Sequence, residues 1–225
     1  MYEQLKKNNV DAAKQLKESD YVRFINPDGK GIRVMFAGNS MTLHGPKADI
    51  GWHGEWGMAA SEKEKDYVHI LMNRITQKDN DAAFCICQVA NWEVSFQKGS
   101  DTYNMYTQAK KFKADVIIVR FIENCAANES EGEIFKKELC SFIDYLGSSK
   151  SNIILTTGFW KHPHDEQICA IAKERNYPLA VLGDLGELDE MKAIGLFEHS
   201  GVAAHPGDKG MLAIADRIWN IFQKL

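Results

Sequence analysis

The sequence predicts an α/β fold, a three-layer α/β/α sandwich around a five-stranded, mostly parallel sheet. Three observations predict it. Five short apolar runs, near residues 32–37, 84–90, 115–121, 152–158 and 178–184, are continuous rather than alternating, as strands covered on both faces are. Stretches of helical period lie between them. With 225 residues, 44% of them apolar, the chain is long enough to fill one substantial core.

The elements follow in chain order. Residues 2–18 read as a helix, with Leu5, Val10, Ala13 and Leu16 loosely periodic among charges. Val22, Arg23, Phe24 and Ile25 suggest a strand, and Asn26-Pro27-Asp28-Gly29 suggests a turn into the strand beginning at Ile32. A loop rich in Gly and Trp follows over 43–59, and then Ser61-Glu62-Lys63-Glu64 has the form of a capping box. The helix after it carries Tyr67, Val68, Leu71 and Ile75 on one face. Further helical patterns are marked by Ile134, Phe135, Leu139, Phe142, Ile143 and Leu146, and by Met211, Leu212, Ala215, Ile218, Trp219 and Phe222. Alternation of strand and helix implies helices on both faces of the sheet, in flavodoxin-like strand order. No repeat, low-complexity tract or linker divides the chain, so residues 1–225 are expected to form one domain, with 1–30 as an N-terminal helix and strand extension.

The feature that points to chemistry is Gly38-Asn39-Ser40, which closes the apolar run 32–37. A serine there stands at the carboxyl edge of a parallel sheet, where open α/β folds bind their ligands. A hydroxyl in that place can attack a carbonyl if a base and an oxyanion site lie nearby. The third apolar run ends in Ile122-Glu123-Asn124, and His205-Pro206 stands just before the last helix. A histidine titrates near neutrality and suits a general base.

The order Ser, Asn, His, placed at these strand ends, resembles the SGNH (GDSL-type) hydrolase family over roughly residues 32 to 222. Gly38-Asn39-Ser40 stands for that family's Gly-Asp-Ser, Ile122-Glu123-Asn124 for its Gly-x-Asn, and His205 for the His of its Asp-x-x-His. The resemblance implies Ser40 as nucleophile, His205 as base, and Ser40 and Asn124 as oxyanion donors. It also implies a backbone donor from the segment after the second parallel strand, for which Glu93 is the first choice and Asn91 the next. The family's acid position holds Val202. His205 is therefore expected to be oriented by a backbone carbonyl, or else by Glu198 or Asp184. Asp208 is expected to cap the last helix instead. Asn39 for the family's Asp, and Cys125 for its usual Asp after the Asn, are further departures.

Trp52, Trp56, Trp92 and Trp160 fall in loops on the same expected edge. Such rings can stack on sugars, and Trp52, Trp92 and Trp160 are the candidate substrate contacts. His162-Pro163-His164-Asp165 could begin a metal site, but no matching pair of ligands is evident elsewhere, so no metal is expected. The five cysteines show no Cys-x-x-Cys spacing and read as reduced thiols, with Cys125 a minor candidate nucleophile.

Composition narrows the partners. A net charge of −4 without a basic face argues against nucleic acid, and no apolar run is long enough to span a bilayer. The first residues lack the apolar core of a signal peptide, so the protein is expected to be cytoplasmic if Met1 is its natural start. The resemblance implies hydrolysis of small-acyl carboxylic esters without a cofactor, and it and the loop tryptophans favour acetyl esters of sugars. Two alternatives stay open: a non-catalytic carbohydrate or small-molecule binder on the same fold, and a metal-dependent hydrolase. The sequence leaves the oligomeric state open.

Overall fold

The structure, a computed structural model, describes residues 16–225. The expected helix over 2–18 therefore lies mostly outside the described residues, and its last three are not helical.

Among the described residues six strands form one sheet: β1 (Val22–Ile25), β2 (Arg33–Gly38), β3 (Ala83–Gln88), β4 (Val116–Arg120), β5 (Asn152–Thr156) and β6 (Leu179–Ala180). Their order is β1-β3-β2-β4-β5-β6, with every neighbour pair parallel except β1 on β3. The five parallel strands follow the expected flavodoxin-like order, and the sixth strand is an addition. β1 does not turn back onto β2. Both edges of β2 are taken by β3 and β4, whereas β3 has an edge open, and Val22 pairs there with Cys87. The connection is fastened to the approach to β3, where Asp79 and Asp81 accept the Ile32 and Lys30 N–H groups at 2.8 and 2.9 Å.

Side chains alternate across the sheet, so each strand feeds two cores. Met35, Ala37, Cys85, Cys87, Ile117 and Val119 face one side, under α3 (Thr107–Phe112), α4 (Gly132–Leu146) and α5 (Asp165–Arg175). Val34, Phe36, Phe84, Ile86 and Ile118 face the other, under α1 (Tyr67–Thr76) and α7 (Asp208–Phe222). Three layers result.

Some local expectations change. Ser61–Glu64 forms no capping box. The N-cap of α1 is the fully buried Asp66, which accepts from the His69 N–H at 2.7 Å and the Gly57 N–H at 2.9 Å. Ser61 instead donates its N–H and hydroxyl to Asp208 at 2.8 and 2.7 Å. Asp208 is thus the first residue of α7, tied to Ser61 and Lys65, and Gly207 occupies the cap position. β6 is shorter than its apolar run because the Leu182 N–H turns to the Thr157 hydroxyl at 2.7 Å, leaving the ladder.

Candidate active site

Strand order reverses at β2, since β3 lies on one side of it and β4 on the other. The carboxyl ends of these three strands therefore open a crevice, the place where such sheets take ligands. Gly38 closes β2 at its tightest point. A Cβ there would overlap the Thr42 hydroxyl and the Arg120 carbonyl, so only glycine fits. Beyond it the chain turns sharply, with the Thr42 and Leu43 N–H groups returning to the Asn39 carbonyl at 2.8 and 3.0 Å. Met58 pins the Ser40 carbonyl at 2.9 Å. The Ser40 side chain is left half-buried at the edge, and its N–H has no partner among the described residues.

Ser40 Oγ stands 2.9 Å from His205 Nε2. On the other side of the ring, Nδ1 lies 2.7 Å from the Gly201 carbonyl oxygen. A carbonyl can only accept, so Nδ1 carries the proton and Nε2 is left to accept from the serine hydroxyl. Gly201 lies in the short helix α6 (Ser200–Ala203). Its carbonyl is available because the His205 N–H bonds to Val202 at 3.0 Å. The His205 carbonyl accepts from Ala193 at 2.9 Å, so the histidine is held at its backbone and at its ring. Burial lowers its pKa below the ordinary histidine value, although the Gly201 carbonyl pulls the other way.

Behind Ser40 lies a charged network that is almost wholly buried. Asn39 is 1% exposed, and all the hydrogen-bonding capacity of its amide is used. Nδ2 donates to Glu93 at 3.1 Å and to Glu123 at 2.6 Å, while Oδ1 accepts from Arg120 at 3.2 Å and from the Met41 N–H at 3.3 Å. Arg120, at the end of β4, also donates to Glu123 at 2.6 Å. Burial by itself would raise Glu123, but Arg120, the Phe159 N–H at 2.8 Å and Asn39 outweigh it and hold the carboxyl below its usual range. Glu93 has no counter-ion in contact among the described residues. Burial first, and then the charge of Glu123, push it up to about 7 against the pull of Asn124 and Asn39.

The sequence candidates divide. Ser40 and His205 meet directly, and Asn124 joins them through the network, its Nδ2 donating to Glu93 at 2.6 Å. Glu93 does not offer a backbone donor. Its N–H bonds to Val89 at 3.1 Å inside the short helix α2 (Ala90–Glu93), and what it brings to the site is its carboxylate. In that segment the Asn91 N–H is the one with no partner among the described residues. Asp184 is exposed and paired with Arg217, with Oδ2 accepting at 2.7 Å, so it does not orient His205. Glu198 is exposed, and the Nδ1 position it would have to reach is held by Gly201. Val202 packs against Trp52, Met58 and Ala193, which accounts for an apolar residue where the family has its acid.

Of the tryptophans, Trp160 stands at the site, edge-on to the His205 ring at 5.4 Å. Trp92 is fully buried and stacks on Phe142 at 5.0 Å; Trp52 is 3% exposed and packs against Trp56 and Phe197. Neither of these two is open to a substrate. Cys125 is buried and its thiol is pushed up by burial, which makes it a poor nucleophile. His162 and His164 lie beside each other, but no group of three or more metal-ligating side chains occurs among the described residues. The role of Arg120 was missed. It stands in an apolar strand, and the signal that could have found it is that a buried arginine needs a carboxylate close by.

No protein-family profile matches the sequence, and no curated protein does. Solved structures do match. One is a two-domain esterase (CEX) active on acetylated mannans, co-crystallised with mannopentaose, at 15% identity and a TM-score of 0.56 over 88% of this chain and 51% of that one. This chain thus spans about half the length of that esterase. Another is the lipase/acylhydrolase from Enterococcus faecalis, at 14% identity and a TM-score of 0.52 over 83% of this chain and 93% of that one. With its strand order and three layers, the chain has the SGNH/GDSL hydrolase fold.

Proposed function

We propose that the protein is a serine hydrolase that cleaves carboxylic esters carrying small acyl groups. The observation that carries this reading is the aligned series Ser40 Oγ, His205 Nε2, His205 Nδ1 and Gly201 carbonyl, with contacts of 2.9 and 2.7 Å. His205 Nε2 takes the serine proton as Oγ attacks the ester carbonyl. The Ser40 N–H and the Asn124 amide stabilise the oxyanion that forms, with the Asn91 N–H as the third donor. Collapse of the tetrahedral species expels the alcohol, which takes the proton from His205. A water then repeats the sequence on the acyl-serine and returns Ser40 and a carboxylic acid. The lowered pKa of His205 favours the neutral, proton-accepting ring.

For the alcohol portion we favour a sugar. The support is the half-buried Trp160 beside the dyad and the likeness to an esterase active on acetylated mannans. The test is covalent labelling. A serine-directed phosphonate should add one mass increment on the peptide holding Ser40 and stop hydrolysis of an activated acetyl ester. Labelling elsewhere, or hydrolysis that survives full labelling of Ser40, would overturn the assignment.

A further inference from the structure

Glu93 is buried without exposed surface, yet it carries an ionisable group and has no cation in contact among the described residues. Its carboxylate accepts three N–H donors: Asn39 Nδ2 at 3.1 Å and the Asn124 backbone N–H at 3.4 Å on Oε1, and Asn124 Nδ2 at 2.6 Å on Oε2. An amide nitrogen has two hydrogens, and the one Glu93 takes fixes the direction of the other. We propose that Glu93 is a positioning residue of this centre: its carboxylate holds the Asn124 amide so that the second N–H serves the oxyanion, and the reaction requires its ionised form.

This inference rests on the serine-hydrolase reading and deepens it. A proton on Oε2 would set an O–H against the Asn124 N–H, donor against donor. Asn124 would then lose its anchor at the moment a fixed dipole is needed, and preorganised donors are what make an oxyanion site effective. The titratable and charged groups facing Glu93 are Arg120 at the end of β4, Glu123 and Cys125 in the turn after it, and Tyr106 at the N-cap of α3. Burial pushes the Cys125 thiol and the Tyr106 phenol up, so both stay neutral around pH 7, while Glu123 is held ionised by Arg120. Glu93, raised to about 7, is the member of the cluster whose charge changes near neutrality.

Two measurements test it, one of them independent of turnover. In a 15N-labelled protein, the Asn124 side-chain amide, assigned by its loss in Asn124→Ala, should shift as pH falls from 8.5 to 5.5 with a midpoint near 7, and Glu93→Gln should abolish that titration. A resonance that stays in place, or one that titrates equally in Glu93→Gln and so reports His205, overturns the proposal. In kinetics on an activated acetyl ester, kcat should fall roughly tenfold from pH 8 to pH 6 in the wild type, as expected for one group titrating near 7. Glu93→Gln should lower kcat at pH 8, leave KM within about twofold, and show no decline between pH 8 and 6.5. A profile identical in shape to the wild type would overturn it. If the wild type neither takes the phosphonate nor turns over ester, the hydrolase reading fails, and the amide titration still decides the role of Glu93.

Discussion

The Asn39 side chain donates to Glu123 at 2.6 Å with one amide hydrogen and to Glu93 at 3.1 Å with the other, so a neutral amide separates two buried carboxyl groups. An aspartate in its place would bring a third acceptor where two donors are needed. Asn39→Asp should therefore destabilise the fold by about 3 kcal/mol, the order seen when a buried charge network loses its donor. Urea unfolding at pH 8 measures this, and a variant as stable as the wild type would contradict the network described.

Asp184→Asn and Glu198→Gln should each keep most of the hydrolytic activity, because the Gly201 carbonyl already holds His205 Nδ1. His205→Ala should lose on the order of 10⁴-fold or more in kcat/KM. A severe loss from one of the two amide variants would identify a carboxylate that moves in on substrate binding.

Asn124→Ala should lower kcat on the order of a hundredfold with a smaller effect on KM, as for a lost oxyanion donor. A change confined to KM would assign Asn124 to ground-state binding instead.

The tryptophans separate structure from recognition. Trp92→Ala should cost about 3–5 kcal/mol, since it empties the stack on Phe142. Trp160→Ala should cost under about 1 kcal/mol and raise KM for an acetylated sugar more than for a small acetyl ester. Thermal unfolding paired with kinetics on the two esters checks both, and equal KM changes would detach Trp160 from the sugar.

Glu93 also marks the stability curve. Its carboxyl is raised from 4.5 to about 7 in the folded protein, so between those values the native state keeps a proton that the unfolded chain has released. Stability from this group is full below about pH 4.5 and is lost as pH rises through about 7. Relative to Glu93→Gln, the wild type should be more stable at pH 5 than at pH 8. A difference independent of pH, read by urea unfolding, would contradict the raised value.

What could be read from the sequence followed what is local. The five parallel strands were legible because each is a run of apolar residues bounded by turn residues, and Ser40, Asn124 and His205 because each sits at the end or start of an element. β1 was legible as a strand, but its partner was not, since pairing with β3 depends on both edges of β2 being occupied. The sequence shows no helix at Trp92 and Glu93 because a four-residue helix has no period to detect. One of them turns into the core and the other toward the site, a division made by tertiary packing. The orienting partner of His205 left no side-chain trace, so elimination of Val202 could suggest it but could not name Gly201.

That last point reaches beyond this site. A group supplied by the main chain cannot be removed by exchanging a side chain, so an alanine scan of this centre would record Ser40, His205 and Asn124 and overlook the carbonyl that orients the imidazole. Replacing the amide that contains the Gly201 carbonyl with an ester, by semisynthesis, would weaken the acceptor and make its contribution visible. It also means that position 202 is at liberty to drift among residues that fill the pocket beside Trp52, without altering how the imidazole is held.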